Sequence, residues 1–169
     1  LPAATTGRIT FGSLNNFCKV NEAVLALWGG VLGAVAGSRL ILLAPAGSPR
    51  QRILDHLSRH GVEAGRIEFV GQMSRHDYLS LYHRIDIALD TLPYNGITTT
   101  CDALWMGVPV VSLAGRSATG RVGRGLLATV GLPELATDRP EDFIAAARDL
   151  SSDLPRLADL RAALRARVT

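Results

Sequence analysis

The residues from Asp90 to Asp102 combine, within one short stretch, the groups that bind an anion. The stretch follows an apolar run, begins with a carboxylate, passes through an Asn-Gly turn and reaches Thr98 and Thr99, where a helical pattern starts. The first turn of a helix carries unpaired backbone N–H groups and the positive end of the helix dipole, and threonine hydroxyls add further donors. We therefore predict an anion site here and interpret the anion as a nucleotide diphosphate.

A second interpretation of the same residues needs no ligand. Thr99 and Asp102 have the spacing of a capping box, in which the two side chains bond the backbone at the start of a helix. Asp102 would also suit the positive end of the helix dipole without any bound anion. The residue types alone leave both interpretations open.

Two cations stand in other loops that could share this site. Lys19, the only lysine, follows the first predicted strand, and it could equally be an ordinary solvated loop cation. Arg75 falls at the first position of a predicted helix, where a positive charge opposes the helix dipole. A cation in that unfavourable position suggests a specific partner or ligand.

The rest of the chain alternates between strand and helix patterns. Strands are predicted at 8–15, 39–44, 66–70, 86–90 and 109–112. Helices are predicted at 22–36, 48–60, 74–84, 98–107 and 122–130, then from 138 onwards and at 154–168. Asn21, Ser48 and Ser74 are the predicted N-caps of three of them. This order predicts an α/β fold with a Rossmann-like, doubly wound parallel sheet, in which ligands bind outside the carboxyl ends of the strands.

Several kinds of function are disfavoured by what the sequence lacks. Its apolar runs are too short for a membrane span, and its four histidines have no metal-binding spacing. Cys18 and Cys101 form no disulfide framework, which favours a reduced, cytoplasmic location. The sequence contains no Walker A motif, no Ser/His/Asp set and no convincing general base. The Arg-rich final segment could indicate nucleic-acid binding, but its helical spacing beside acidic residues favours a solvated helix face.

Three segments together resemble the O-GlcNAc transferase (SPINDLY-type) glycosyltransferases. They are Asn16-Phe-Cys-Lys19, Arg66-Ile-Glu-Phe69 and the block from Asp86 to Val111, which contains Asp-Thr-x-Pro-Tyr-Asn-Gly-x-Thr-Thr-x-x-Asp. The resemblance implies that residues 1–169 form one UDP-sugar-binding domain, the C-terminal half of a GT-B fold in bacterial form. A chain starting Leu-Pro-Ala without Met would then be a fragment, with a second catalytic half and TPR repeats upstream.

The resemblance also implies an activity. Members of this family are inverting, metal-independent enzymes that transfer GlcNAc, or a related hexose, from UDP to protein Ser/Thr. UDP-GlcNAc or a similar UDP-sugar would be the donor, and no separate cofactor is implied. The fragment alone would be inactive, because acceptor binding and the base belong to the missing half. A non-catalytic nucleotide-binding or scaffold module remains the alternative.

Roles follow from the resemblance for seven residues. Lys19 would bind the diphosphate and stabilise the leaving group, and Asn16, Thr98 and Thr99 would also contact the phosphates. Asp102 and Arg75 would lie at the ribose, and the backbone of Met73 would face the uracil. Ile97 and Tyr78 depart from the animal enzymes, which have histidine at both positions. The identity of the donor sugar therefore stays open.

Overall fold

The computed structural model describes residues 1–168 and, within them, contains six strands and eight α-helices. The strands are β1 (Thr10–Ser13), β2 (Arg39–Leu43), β3 (Ile67–Val70), β4 (Ile87–Leu89), β5 (Val110–Leu113) and β6 (Ala136–Thr137). The helices are α1 (Pro2–Thr6), α2 (Glu22–Ala34), α3 (Ser48–Ser58), α4 (Arg75–Leu81), α5 (Thr98–Trp105), α6 (Val122–Thr129), α7 (Pro140–Ser152) and α8 (Leu154–Val168).

The strands form one parallel sheet in the order β3-β2-β1-β4-β5-β6. The predicted doubly wound, Rossmann-like fold is therefore confirmed. The strand order reverses between β1 and β4, so the loops that leave these two strands turn away from each other and open a crevice. That crevice is where the fold places a ligand.

The core lies between the sheet and the helices that cover its two faces. The central strands are buried, with Phe11 and Leu40 fully inaccessible to solvent. Trp28 and Val31 present the apolar stripe of α2, which packs against α3 and α7. Strands covered on both sides explain the continuous apolar runs in the sequence.

Two short elements, α1 and β6, were not predicted from the sequence. The strand β6 has only two residues and pairs with Ser112 and Leu113 of β5. The helix α1 is held by Asp86, whose carboxylate accepts hydrogen bonds from the backbone N–H groups of Ala3 at 2.9 Å and Thr10 at 2.8 Å. Elements this short show no hydrophobic period, so pattern reading has nothing to detect.

Two of the three predicted N-caps are confirmed. The side chain of Asn21 accepts from Val24 N at 3.0 Å, and that of Ser74 from Asp77 N at 3.1 Å. The prediction for Ser48 is wrong, because the N-cap of α3 is Gly47 at φ 93°. The positive φ of this glycine starts the helix one residue early, so Ser48 already lies inside it.

The arginines of α8 are engaged with the body of the domain. Arg161 donates to the carbonyls of Ile85 at 2.6 Å and Tyr82 at 2.7 Å. The Arg165 guanidinium lies 4.7 Å from the centre of the Trp105 ring. These contacts give the basic residues of α8 a role in packing the helix against the sheet and α5.

Candidate functional site

Lys19 lies at the carboxyl end of the sheet, in a short 3-10 turn (Phe17–Lys19) that follows β1. Asn16 caps this turn, because its Oδ1 accepts from Cys18 N at 3.1 Å. The Lys19 ammonium donates to the main-chain carbonyl of Asn95 at 2.9 Å. The contact joins the two loops that diverge at the crevice and brings Lys19 to the stretch between Asp90 and Asp102.

Asp90 directly follows β4 and is buried beneath the loop that leads to α5, with only 2% of its surface exposed. Its Oδ1 accepts from the backbone N–H groups of Thr91 at 2.8 Å and Gly96 at 2.7 Å, and its Oδ2 accepts from Ser112 Oγ at 2.6 Å. Burial raises the pKa of Asp90 to about 6, although these hydrogen bonds and the Lys19 charge act in the opposite direction. The carboxylate therefore organises the loop from below.

Asn95 ties the same loop to its neighbours. Its Nδ2 donates to the Thr91 carbonyl at 2.9 Å, and its Oδ1 accepts from Gly123 N at 3.2 Å. Because Gly123 lies in the first turn of α6, Asn95 connects two helix-opening loops. Its own carbonyl is thereby left to face Lys19.

The helix α5 begins at Thr98, and its N-cap is Ile97, which makes no side-chain capping bond. The capping-box interpretation of Thr99 and Asp102 is therefore wrong. Thr98 is exposed and Thr99 half-buried at this start. Backbone N–H groups in the first turn of a helix lack intrahelical acceptors, so the start of α5 is suited to an anion.

Asp102 forms a two-pronged ion pair with Arg75. The Arg75 nitrogens lie 2.8 and 2.6 Å from the two carboxylate oxygens, and the Asp102 side chain is 11% exposed against 60% for Arg75. The hydrogen bond to Asp102 raises the pKa of Arg75 above its usual value. This pairing explains how α4 tolerates a cation at its first position.

A shallow cavity of about 320 Å³ opens beside this ion pair. It is lined by Leu43, Gln72, Met73, Arg75 and Tyr78. The Tyr78 ring lies under the Arg75 guanidinium, 5.2 Å away, and its hydroxyl is 3.1 Å from that of Tyr82. Tyr82 in turn donates to the Thr99 carbonyl at 3.2 Å, so the cavity is tied to the first turn of α5.

The seven predicted residues therefore occupy one edge of the sheet, and five of them form two groups. Lys19 and Asn16 share a turn against the Asn95 carbonyl, whereas Arg75 and Met73 line the cavity, with Asp102 bound to Arg75. Thr98 and Thr99 belong to neither group; they lie in the first turn of α5, between Asn95 and Asp102 in the chain.

Asp90 and Asn95 were predictable from the sequence as polar residues of the loops at the ligand-binding edge, but neither the partners of Asp90 nor a role for Ser112 was. Asn95 carried a signal as part of an Asn-Gly turn. The hydroxyl of Ser112, placed within an apolar strand, became meaningful only when the structure set it against Asp90.

Residues 1–168 offer neither a metal-binding cluster nor a membrane-spanning helix. This part of the chain holds no group of three or more His, Cys, Asp or Glu side chains that could bind a metal ion. Nor does it contain a helix that is long and apolar enough to cross a membrane.

A sequence model described as glycosyl transferase family 41 matches residues 3–169. The chain belongs to glycosyl transferase family 41. The resemblance that the motif residues carried is confirmed by this match over nearly the whole sequence.

Relatives in the family carry related names. The SPINDLY protein of Petunia hybrida, named a probable UDP-N-acetylglucosamine–peptide N-acetylglucosaminyltransferase, is 44% identical over 168 residues, which are 97% of this chain and 18% of that protein. The Caenorhabditis elegans UDP-N-acetylglucosamine–peptide N-acetylglucosaminyltransferase is 30% identical over 154 residues, covering 91% of this chain and 13% of its own length. The family 41 chain thus spans less than a fifth of these relatives.

Solved structures agree with the sequence comparison. A mutant of Thermobaculum terrenum O-GlcNAc transferase superposes with a TM-score of 0.90 at 41% identity, over 95% of this chain and 31% of that one. An Anabaena protein solved with UDP and glucose superposes with a TM-score of 0.66 at 15% identity, over 98% of this chain and 46% of its own. The second likeness shows the shared fold alone, and the first extends the family relationship to three dimensions.

Proposed function

We propose that this chain is the donor-binding domain of a glycosyltransferase that moves GlcNAc, or a related hexose, from UDP to serine or threonine of a protein. The single observation that carries the proposal is the position of the Lys19 ammonium, 2.9 Å from the Asn95 carbonyl in the loop that leads into α5. A lysine that forms no ion pair within residues 1–168 is thereby held against the loop that opens α5, at the crevice where this fold binds nucleotides. The names of the relatives supply the donor and the acceptor class.

The diphosphate is assigned to Lys19, Asn16, Thr98 and Thr99. An ammonium has three donor hydrogens, so Lys19 can keep the Asn95 carbonyl and direct the other two to phosphate oxygens. Departure of UDP develops negative charge on the diphosphate as the bond to the sugar breaks. Fixed donors aimed at that charge stabilise the transition state, which gives this domain its part in catalysis without a metal.

The nucleoside is assigned to the Arg75 side of the crevice. Asp102 accepts hydrogen bonds from the ribose hydroxyls with the lone pairs that Arg75 leaves free, and the Met73 backbone faces the uracil across the cavity. Ile97, which is 52% exposed at the start of α5, faces the sugar. An apolar side chain there can contact the sugar ring but cannot donate a hydrogen bond to it.

The remaining steps are assigned to parts of the protein beyond this domain. The chain spans 18% of the Petunia relative and 31% of the solved Thermobaculum chain. We place the acceptor site, the base that deprotonates the acceptor hydroxyl and any TPR repeats in that additional length, in a cytoplasmic enzyme. The isolated domain accordingly binds donor and transfers nothing.

Transfer assays test this function in the complete polypeptide that carries the domain. We expect label from UDP-GlcNAc, or from UDP-glucose, to appear on protein acceptors when the complete polypeptide is supplied, and none with residues 1–169 alone. Parallel reactions with the two donors identify the sugar. Tight UDP binding without transfer from either donor would instead support a non-catalytic nucleotide-binding module.

A further inference from the structure

A buried carboxylate lies at each end of β4. Asp86 precedes β4 and is fully buried among the backbone N–H groups of α1 and β1, whereas Asp90 follows β4 and lies under the crevice. Burial raises the pKa of both carboxylates. Burying a carboxylate is unfavourable unless its hydrogen bonds are satisfied, so each must hold something in place. For Asp86 this is the N-terminal helix, and for Asp90 it is the loop between β4 and α5.

The hydrogen bonds of Asp90 close a loop. One oxygen, Oδ1, accepts both from Thr91 N at 2.8 Å and from Gly96 N at 2.7 Å, the two ends of the segment between β4 and α5. The other oxygen is fixed by Ser112 Oγ of β5 at 2.6 Å. The Asp90 side chain therefore holds both Thr91 and Gly96 in place, and the side chains of Thr91 and Asn95 add further hydrogen bonds within the same segment.

The backbone of this loop is tightly packed at Gly96. A Cβ at Gly96 would lie 2.7 Å from Asn15 Oδ1 and 3.3 Å from Asp90 Oδ1. The backbone approaches Asp90 this closely only because residue 96 is glycine. The side chain of Asn95 fastens the same segment to Gly123 of α6. The contact between this loop and Lys19 is made by the Asn95 carbonyl, which accepts a hydrogen bond from the Lys19 ammonium.

We propose that Asp90 is a positioning residue for donor binding: by closing the 91–96 loop, its carboxylate fixes the Asn95 carbonyl that aims Lys19 at the diphosphate. Lysine has a flexible stem, and an ammonium held at one point loses less freedom when it meets a phosphate. Asp90 itself lies below the loop and touches no substrate. The inference rests on the proposed function, since it concerns the same site.

Titration calorimetry with UDP on variants of this chain tests the proposal. Asp90→Ala is expected to weaken UDP binding by about tenfold or more, because the loop loses two hydrogen bonds to a charged group and its link to Ser112 of β5. Asp90→Asn is expected to restore most of the affinity, since its carbonyl can accept from both amides and its NH₂ can donate to Ser112. Asp86→Ala is the matched control: it removes a buried carboxylate from the other end of β4, and we expect less stability but UDP affinity within about twofold of wild type.

The coupling to Lys19 distinguishes positioning from a general loss of structure. In a Lys19→Ala background, Asp90→Ala is expected to have little further effect on UDP affinity, because the group that it positions is gone. Equal effects in the two backgrounds, unchanged affinity of Asp90→Ala, or failure of Asp90→Asn to restore binding would each overturn the inference. If Asp90→Ala does not fold, Asn95→Ala replaces it, with the same expected dependence on Lys19. A folded wild-type chain that does not bind UDP would overturn the proposed function itself, whereas the other outcomes bear on Asp90 alone.

Discussion

Replacing Lys19 with alanine is expected to lower kcat of the complete enzyme by about 10²–10³-fold, the usual cost of removing one donor from a developing negative charge. Within residues 1–168 the Lys19 ammonium makes one hydrogen bond, to the Asn95 carbonyl, so we expect its removal to cost little stability. Its effect on UDP affinity is expected to be smaller than its effect on kcat. The reason is that charge on the leaving group is greatest in the transition state.

The measurement is steady-state kinetics with labelled donor, combined with UDP titration of the same variants. Arg8→Ala is the control, because Arg8 precedes β1 while Lys19 follows it, which places the two cations at opposite edges of the sheet. Arg8→Ala is expected to leave both kcat and UDP affinity unchanged. A kcat of Lys19→Ala equal to that of the wild type would show that Lys19 does not stabilise the leaving group.

Asp102→Ala is expected to abolish the preference of the domain for UDP over 2′-deoxy-UDP and to weaken UDP binding by about tenfold. The Asp102 side chain is nearly buried, but its partner Arg75 is 60% exposed, so the mutation leaves no buried unpaired charge. Stability is therefore expected to change little. The loss in affinity should be larger with UDP than with the deoxynucleotide, because 2′-deoxy-UDP keeps the 3′-hydroxyl but lacks the 2′-hydroxyl.

Paired titrations of both nucleotides into wild type and variant measure this difference directly. Asp138→Ala is a matched control, since Asp138 forms an ion pair with Arg124 on an exposed surface. It is expected to change neither affinity. An unaltered ratio between UDP and 2′-deoxy-UDP in Asp102→Ala would show that Asp102 serves only to hold Arg75, and the ribose assignment would be wrong.

The fold was predictable because its signals are local. Runs such as 40–43 are apolar throughout, as expected for strands covered on both faces, and the helices between the strands have regular apolar stripes. Both features are written into consecutive residues. The helix α1 and the strand β6 escaped detection because each is too short for a period to appear.

The candidate site was predictable only in part. Position at the carboxyl edge follows from the order of elements, so Lys19, Arg75 and Thr98 could be placed there from the sequence. Their partners could not, because the Arg75–Asp102 and Lys19–Asn95 contacts each join residues far apart in the chain. Asp102 is an example. Its spacing from Thr99 suggested a capping box, but in the structure its carboxylate accepts hydrogen bonds from Arg75, which is distant in the sequence.

Titration of UDP into this chain, with the fold verified by circular dichroism in the same buffer, tests the central claim most directly. We expect saturable binding of one UDP with a dissociation constant on the order of micromolar to millimolar, and weaker binding by Lys19→Ala. A folded chain that shows no binding, or that binds UDP equally well without Lys19, would contradict it.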